Sequence, residues 1–375
     1  MTTRPDRRAR GLLLVAGAAV LLAVAAVGLF WLAWNRPVAV ADGARTLVRI
    51  EPGLTLSAVA DTLVARGLLR QRRVFLLGAR LSGRDRDLQA GLYDLPDTVS
   101  PHRLLALLTR GATVQRSVTL PEGLDADEMA ALVGHAFDLS PADFLAAADS
   151  VVRVAMDRQP GLISPQGRAI LDSLVAGNAA TPRPRPRRCE GYLAPDTYRF
   201  TEGVAAPTVA ATLVATQLAR LDAALALVRA RAATDGRPVP TGHELLTLAS
   251  IVEAEARLAR ERPLIAAVYA NRLARGWRLE ADPTVAYFLA KKGRRLYYKD
   301  LRRESLYNTY RHHGLPPGPI DNPGSAALLA TALPDSACRA LYFVSDGNGG
   351  HVFSETAREH EAAVERFRQA RRRSP

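Results

Sequence analysis

Cysteine and lysine are almost missing from this chain. The two cysteines, Cys189 and Cys338, are too few for a disulfide framework and stand at no metal-ligand spacing. Both follow the apolar segment described below, so one disulfide is open to them; two unpaired thiols is the plainer reading. Lysine occurs only at Lys291, Lys292 and Lys299, so the formal net charge of +13 is carried almost entirely by arginine. A surface of that sign could meet nucleic acid, anionic lipid or an acidic polymer. The arginines are scattered, however, apart from Arg–Pro stretches near residues 183–188 and the tail Arg371, Arg372, Arg373. No helix-turn-helix, zinc-finger or RNA-binding signature accompanies them, so nucleic acid is not an expected partner.

Other absences narrow the chemistry. There is no Gly-x-Ser-x-Gly elbow, no His-Glu-x-x-His and no phosphate-binding Gly-Lys-Ser/Thr loop. His312 and His313 are neighbours whose side chains point apart, with no Cys or His at ligand spacing. The run Asp346 to Gly350 has the look of a calcium loop but lacks the remaining acidic ligands and the terminal Glu, so it reads as a turn. Neither a metal nor a cofactor is expected. Gly and Pro, at 27 and 24 of 375 residues, are too few for a fibrous or wholly disordered chain. With 48% apolar and 23% charged residues, the composition is globular, with room for two or three domains.

What is present begins with an apolar run. From Gly11 to Trp34 no residue is charged, and a helix over that stretch would be about 36 Å long, enough to cross a hydrocarbon core of about 30 Å with some tilt. Arg4, Arg7, Arg8 and Arg10 precede it, which by the positive-inside rule holds residues 1–10 in the cytoplasm. Phe30, Trp31 and Trp34 stand at the far end, where aromatic rings favour the interface. A cleaved signal peptide competes, since Ala39-Val40-Ala41 could be a processing site. The run is far longer than the roughly 7–15 residues of a signal-peptide core, which favours an uncleaved single-pass anchor over 11–34 and a body outside the cytoplasm.

Two stretches of the body repeat weakly. Val48, Ile50, Gly53, Leu54 and Ala60 correspond to Val118, Leu120, Gly123, Leu124 and Ala130, each copy reading as strand, Gly turn and amphipathic helix. Between them, Ala90 to Leu95 reads as a strand and Pro101 to Thr109 as a helix. Residues 46–150 thus form a small α+β region that resembles LysM-like modules, either holding N-acetylated sugars or serving as structure alone. A linker or insertion is expected over 151–188, extended from Thr181 to Arg188 because alternate prolines bar a helix. Residues 189–375 make the second domain, helical from Ala206 to Gly276 with breaks at Asp235–Pro238 and near Arg262-Pro263. A hairpin then joins Leu341–Val344 to His351–Phe353, and a closing helix runs from Glu355 to Arg373. The expected class is α+β: anchor helix, LysM-like region, and a mainly helical domain with a β-hairpin.

The chemistry centres on one helix. Thr241-Gly-His-Glu244 is a capping box, and the helix after it is apolar nearly all round, hence buried. Glu253 and Glu255 interrupt it. Positions two apart diverge by about 200°, so at most one should face a cleft, the other being held by Arg257, Arg260 or a more distant arginine. A carboxyl on an apolar helix has its charged form disfavoured and its pKa raised, as a general acid at neutral pH requires. A buried structural ion pair satisfies the same pattern.

The ordered motifs resemble those of the endolytic murein transglycosylases, the MltG or YceG-like family. They are Glu190-Gly-Tyr-Leu-Ala-Pro-Asp-Thr-Tyr198, Leu248-Ala-Ser-Ile-Val-Glu-Ala-Glu255, Glu261-Arg262, Val268-Tyr-Ala-Asn-Arg-Leu273 and Arg278-Leu-Glu-Ala-Asp-Pro-Thr-Val285. Tyr307-Asn-Thr-Tyr310, Gly314-Leu-Pro-Pro-Gly318, Asn322-Pro-Gly324, Tyr342-Phe-Val344 and Asp346-Gly-Asn-Gly-Gly-His351 complete the set. The resemblance implies that Glu255 is the catalytic acid and base. By motif membership it implies that Glu190, Tyr192, Asp196, Asn271, Asp282, Thr284, Tyr307 and Asn308 contact substrate. The implied substrate is the glycan strand of peptidoglycan, cut between N-acetylmuramic acid and N-acetylglucosamine, with cell-wall synthesis enzymes as implied partners. Ala194 departs from the family, which has an aromatic residue there, and the stretch 157–188 is longer than usual. A non-catalytic peptidoglycan-binding scaffold is the alternative.

Overall fold

The computed structural model describes residues 7–39, 46–51, 53–96, 98–177 and 186–373. The expected cytoplasmic tail up to residue 6, and the Arg–Pro stretch up to residue 185, lie outside the described residues. The fold is mixed, mainly helical with short two-stranded sheets, and it opens with an apolar helix. The chain divides into two compact units: residues 1–116 with 200–204, and residues 117–199 with 205–375.

In the first unit the helix Arg7–Asn35 is exposed along its apolar length. It is one of two helices among the described residues that are long and apolar enough to cross a membrane. Of the end rings expected at an interface, Trp31 is exposed, but Trp34 packs inward against Phe75 (ring centroids 6.4 Å apart). Gly78 makes room for it: a Cβ there would stand 2.3 Å from the indole. The strands Thr46–Ile50 and Gly91–Leu95 pair antiparallel, Val48 opposite Tyr93. Their inner faces meet the helices Leu56–Ala65, Arg72–Leu81 and Pro101–Arg110 in a core of Val59, Leu63, Phe75, Leu104 and Leu108. Thr55 and Ser100 cap two of those helices by accepting the amides of Ala58 and Arg103.

The second copy of the repeat also reads strand, turn, helix, with Gln115–Thr119, Gly123 at φ +75° and Ala126–Phe137. Its helix lies in the second unit, whereas the first copy lies in the first. The stretch assigned to a linker or insertion holds the C-terminal part of the helix Pro141–Arg158, from residue 151 on, and all of Pro165–Ala176, each helix opened by a serine cap and a proline in the first turn. The former packs along Ala206–Asp235, the other helix long enough for a membrane, whose Val209, Leu213, Leu221 and Leu225 are buried in the core. The breaks appear as expected: Gly236 ends that helix in the left-handed region, and a single 3-10 turn Ala259–Glu261 separates Gly242–Glu255 from Arg262–Ala274. Strands Tyr342–Ser345 and His351–Ser354 form the hairpin, its turn closed by Asp346 Oδ1, which accepts the amides of Asn348 and Gly350. The helix Ala357–Arg373 ends the described chain.

Candidate active site

The capping box forms as written in the sequence. The Glu244 amide donates to Thr241 Oγ1 (3.2 Å), and the Thr241 amide donates to Glu244 Oε2 (2.8 Å). The helix it starts, Gly242–Glu255, is buried from Leu245 to Val252 and packs its apolar faces on Ile265, Tyr269, Val285 and Phe288. Glu255 is its last residue, since Ala256 turns to extended backbone. That end opens into a cleft of about 1290 Å³ in the second unit.

Both glutamates reach the cleft. The cleft wraps round the free end of the helix, so two directions about 200° apart both open onto it, contrary to the sequence expectation. Glu253 is held: Oε1 accepts from Arg262 at 2.8 Å and Oε2 from the Gly324 amide at 3.2 Å. The partner is Arg262 rather than Arg257 or Arg260, because the 3-10 turn brings the chain back so that Arg262 faces Glu253. Among the described residues Glu255 instead accepts one hydrogen bond, from the Tyr269 hydroxyl at 3.0 Å. Burial raises its pKa to about 7, with the Asp282 charge adding to the rise and Tyr269 and Arg272 opposing it. Its place at a helix C-terminus, where unpaired carbonyls gather, disfavours the carboxylate further.

The other candidate residues distribute unevenly. Asp282 lines the cleft and accepts from the Tyr310 hydroxyl at 2.7 Å. Glu190 lies behind the wall, 4% exposed, accepting from the Ala126 amide (3.0 Å), Asn322 Nδ2 (3.2 Å) and the hydroxyl of Tyr287, which does line the cleft. Burial, then the charge of Asp125, pushes its carboxyl up to about 8. Tyr307 is buried with its ring 5.1 Å from that of Tyr287. The rest are outside the cleft lining, bound to other parts of the protein. Tyr192 is fully buried and pairs with His243 Nδ1 at 2.9 Å; His243 Nε2 reaches the Pro317 carbonyl, which can only accept, so Tyr192 is the donor. Asp196 is exposed and bound to Arg220. Asn271 donates to the carbonyls of Cys338 and Ala340, and Asn308 to those of Leu301 and Arg303. Thr284 donates to the Ala281 carbonyl and meets Thr309 at 2.9 Å. Ala194 is fully buried. Both cysteines are free.

Residues that the sequence did not mark as cleft residues complete the lining. Glu122, Asp125, Asp127 and Asp321 line the acidic side; Arg257, Arg294 and Arg295 stand among them, and Lys292 bonds Glu128 and the Gly123 carbonyl. Tyr269 and Arg272 lie inside a quoted motif, one helical turn apart and both buried. That spacing was the available signal for a pair facing Glu255.

A family model described as the YceG-like family matches residues 48–366 of the chain. An endolytic murein transglycosylase of Bacillus subtilis is 30% identical over 321 residues, 85% of this chain and 84% of that protein. One from Streptococcus pneumoniae strain R6 is 30% identical over 329 residues; that match spans 84% of this chain but only 57% of that longer relative. The crystal structure of a YceG-like protein from Listeria monocytogenes superposes with a TM-score of 0.53 at 28% identity, over 86% of this chain and 99% of that one.

Proposed function

The chain belongs to the YceG-like family, and on that premise we propose that it is an endolytic murein transglycosylase, a lyase of peptidoglycan glycan strands with Glu255 as general acid and base. The observation that carries the reading is the half-buried Glu255 carboxyl, set in a cleft of about 1290 Å³ and raised to about 7. A proton donor works best with its pKa near the working pH.

Glycosidases that hydrolyse their substrate normally use two carboxyl groups, one of them to activate water or attack the sugar. Here a single group serves twice. Protonated Glu255 gives its proton to the glycosidic oxygen between N-acetylmuramic acid and N-acetylglucosamine as the C1–O bond breaks. The resulting carboxylate takes the proton of the C6 hydroxyl, whose oxygen closes on C1 to give a 1,6-anhydro end. The nucleophile is part of the substrate, so the entropy of bringing it in is already met. Asp282, close enough for its charge to act on Glu255, favours the positive charge that develops at C1.

The apolar helix is the single-pass anchor in this reading, with the N-terminus in the cytoplasm and the body outside, beside the strands and the enzymes that make them. The strand–turn–helix copies near 46–65 and 115–137 are LysM-like elements that hold the strand. The test is the product. Sacculi treated with the full-length protein should yield anhydro-muropeptides by mass spectrometry, and Glu255→Gln should lower their release at least ~10²-fold without unfolding. A folded Glu255→Gln protein working at near wild-type rate would sink the assignment; binding without anhydro ends would make the protein a scaffold.

A further inference from the structure

Asp321 is a buried acid that the chemistry of Glu255 leaves unused. The segment carrying it is pinned on both sides. The Ile320 amide donates to Ser250 Oγ at 3.0 Å. The Asn322 amide and Nδ2 both donate to the Leu124 carbonyl, at 2.9 and 3.0 Å, while Asn322 Oδ1 accepts the Leu193 amide. The backbone on both sides of Asp321 is therefore fixed. It is 3% exposed, it belongs to the cleft wall with Gly123 and Glu253, and its Oδ1 finds no hydrogen-bond partner among the described residues. A Cβ on Gly123 would stand 3.9 Å from Asp321 Oδ2 and 3.7 Å from Glu253 Cγ, which puts the carboxyl beside two residues that face the cleft. Oδ1 is enclosed by protein, whereas Oδ2, also without a hydrogen bond among the described residues but not enclosed, is the atom that a ligand in the cleft would meet.

We infer that Asp321 is a substrate-positioning residue whose carboxyl group donates a hydrogen bond to the acetamido carbonyl of an N-acetylated sugar in the cleft, an assignment that rests on the glycan-strand reading above. The chemistry of the surroundings selects that ligand group. Burial, then the charges of Glu253 and Glu190, hold the Asp321 carboxyl far above the ordinary carboxylate range, with Lys292 opposing. A neutral carboxylic acid is a hydrogen-bond donor, and an acetamido carbonyl is an uncharged acceptor repeated along the strand. Arg262 is engaged with Glu253 and Lys292 with Glu128, while Arg257, Arg294 and Arg295 also line the cleft. At Asp321 itself a carbonyl meets the carboxyl group as its donor.

Binding reads the inference without turnover. The full-length protein carrying Glu255→Gln is the parent, and the probes are soluble uncross-linked glycan strands, either N-acetylated or de-N-acetylated. Adding Asp321→Ala should weaken binding to N-acetylated strands about tenfold, leave binding to de-N-acetylated strands unchanged, and be reversed by Asp321→Asn, which keeps a donor in place. Thermal stability of the alanine variant should match the parent or exceed it, because no protein hydrogen bond to Oδ1 is lost; Asp321→Val gives the same reading should alanine fold poorly. An equal loss on both strand types, no loss on either, or failure of asparagine to restore binding would overturn the inference. A parent that binds neither strand would remove the glycan reading and this inference with it. Anhydro ends released by that parent would strike the role of Glu255 alone.

Discussion

The Tyr269 hydroxyl donates to Oε1 of Glu255 across 3.0 Å, from the third turn of the neighbouring helix. Burial is the largest influence on Glu255 and raises its pKa; Asp282 raises it further, while this hydrogen bond and Arg272 lower it. The site is therefore balanced by named residues whose removal should move the same group in opposite directions.

Tyr269→Phe deletes a hydrogen bond to the charged form, so the Glu255 pKa should rise above about 7. Asp282→Asn deletes a repulsive charge, so it should fall. If protonated Glu255 starts the reaction, the rate declines as pH climbs through its pKa. The descending limb of the pH–rate profile should then move to higher pH in Tyr269→Phe and to lower pH in Asp282→Asn. Shifts of the same sign in both variants would remove Glu255 as the titrating group.

Local elements were legible because their causes are local. The Thr241–Glu244 box, the prolines in first turns and the Asp346–Gly350 turn each specify structure within a few residues. What the sequence could not locate depends on long-range closure. Arg262 meets Glu253 only because a 3-10 turn redirects the chain, and Asp125, Asp321 and Glu255 meet only in the folded unit. Motif membership marked Tyr192 and Asn308 beside Asp282, yet it reports that a side chain matters and not where it points. Tyr192 bonds His243, and Asn308 holds a loop by its carbonyls.

Glu253 and Arg262 form a pair with side chains 7% and 15% exposed. Arg262→Met leaves the carboxylate with the Gly324 amide alone, near Glu122 and Asp321. The expected cost is about 3–5 kcal/mol in chemical denaturation, and adding Glu253→Gln should recover part of it. Additive losses would show that the two groups do not depend on each other.

A reporter fused after Pro375 should be active only outside the cytoplasm, since arginines crowd the N-terminal flank of the apolar run. Cytoplasmic activity of that fusion would overturn the topology and the access to glycan together.

Glu190 ties the acidic cleft to pH-dependent stability. Its pKa is raised from 4.5 to about 8, first by burial and then by the Asp125 charge. Between those values the folded state keeps a proton that the unfolded state has released, so this group's contribution is fully present below about 4.5 and is lost as pH rises toward about 8. Glu190→Gln keeps an oxygen for the Ala126 amide and Asn322 Nδ2, and offers Tyr287 a donor in place of an acceptor. It cannot ionise, so the loss disappears. The variant should melt near the wild type at acid pH and above it at alkaline pH, by about 2–4 °C for each kcal/mol recovered. His243, buried and held neutral, works the other way and lowers stability as pH falls below its ordinary value, so both proteins share that acid limb. The difference in Tm between Glu190→Gln and wild type, followed from acid to alkaline pH, isolates Glu190. A difference that stays flat or shrinks as pH rises would mean that the Glu190 carboxyl is ionised throughout.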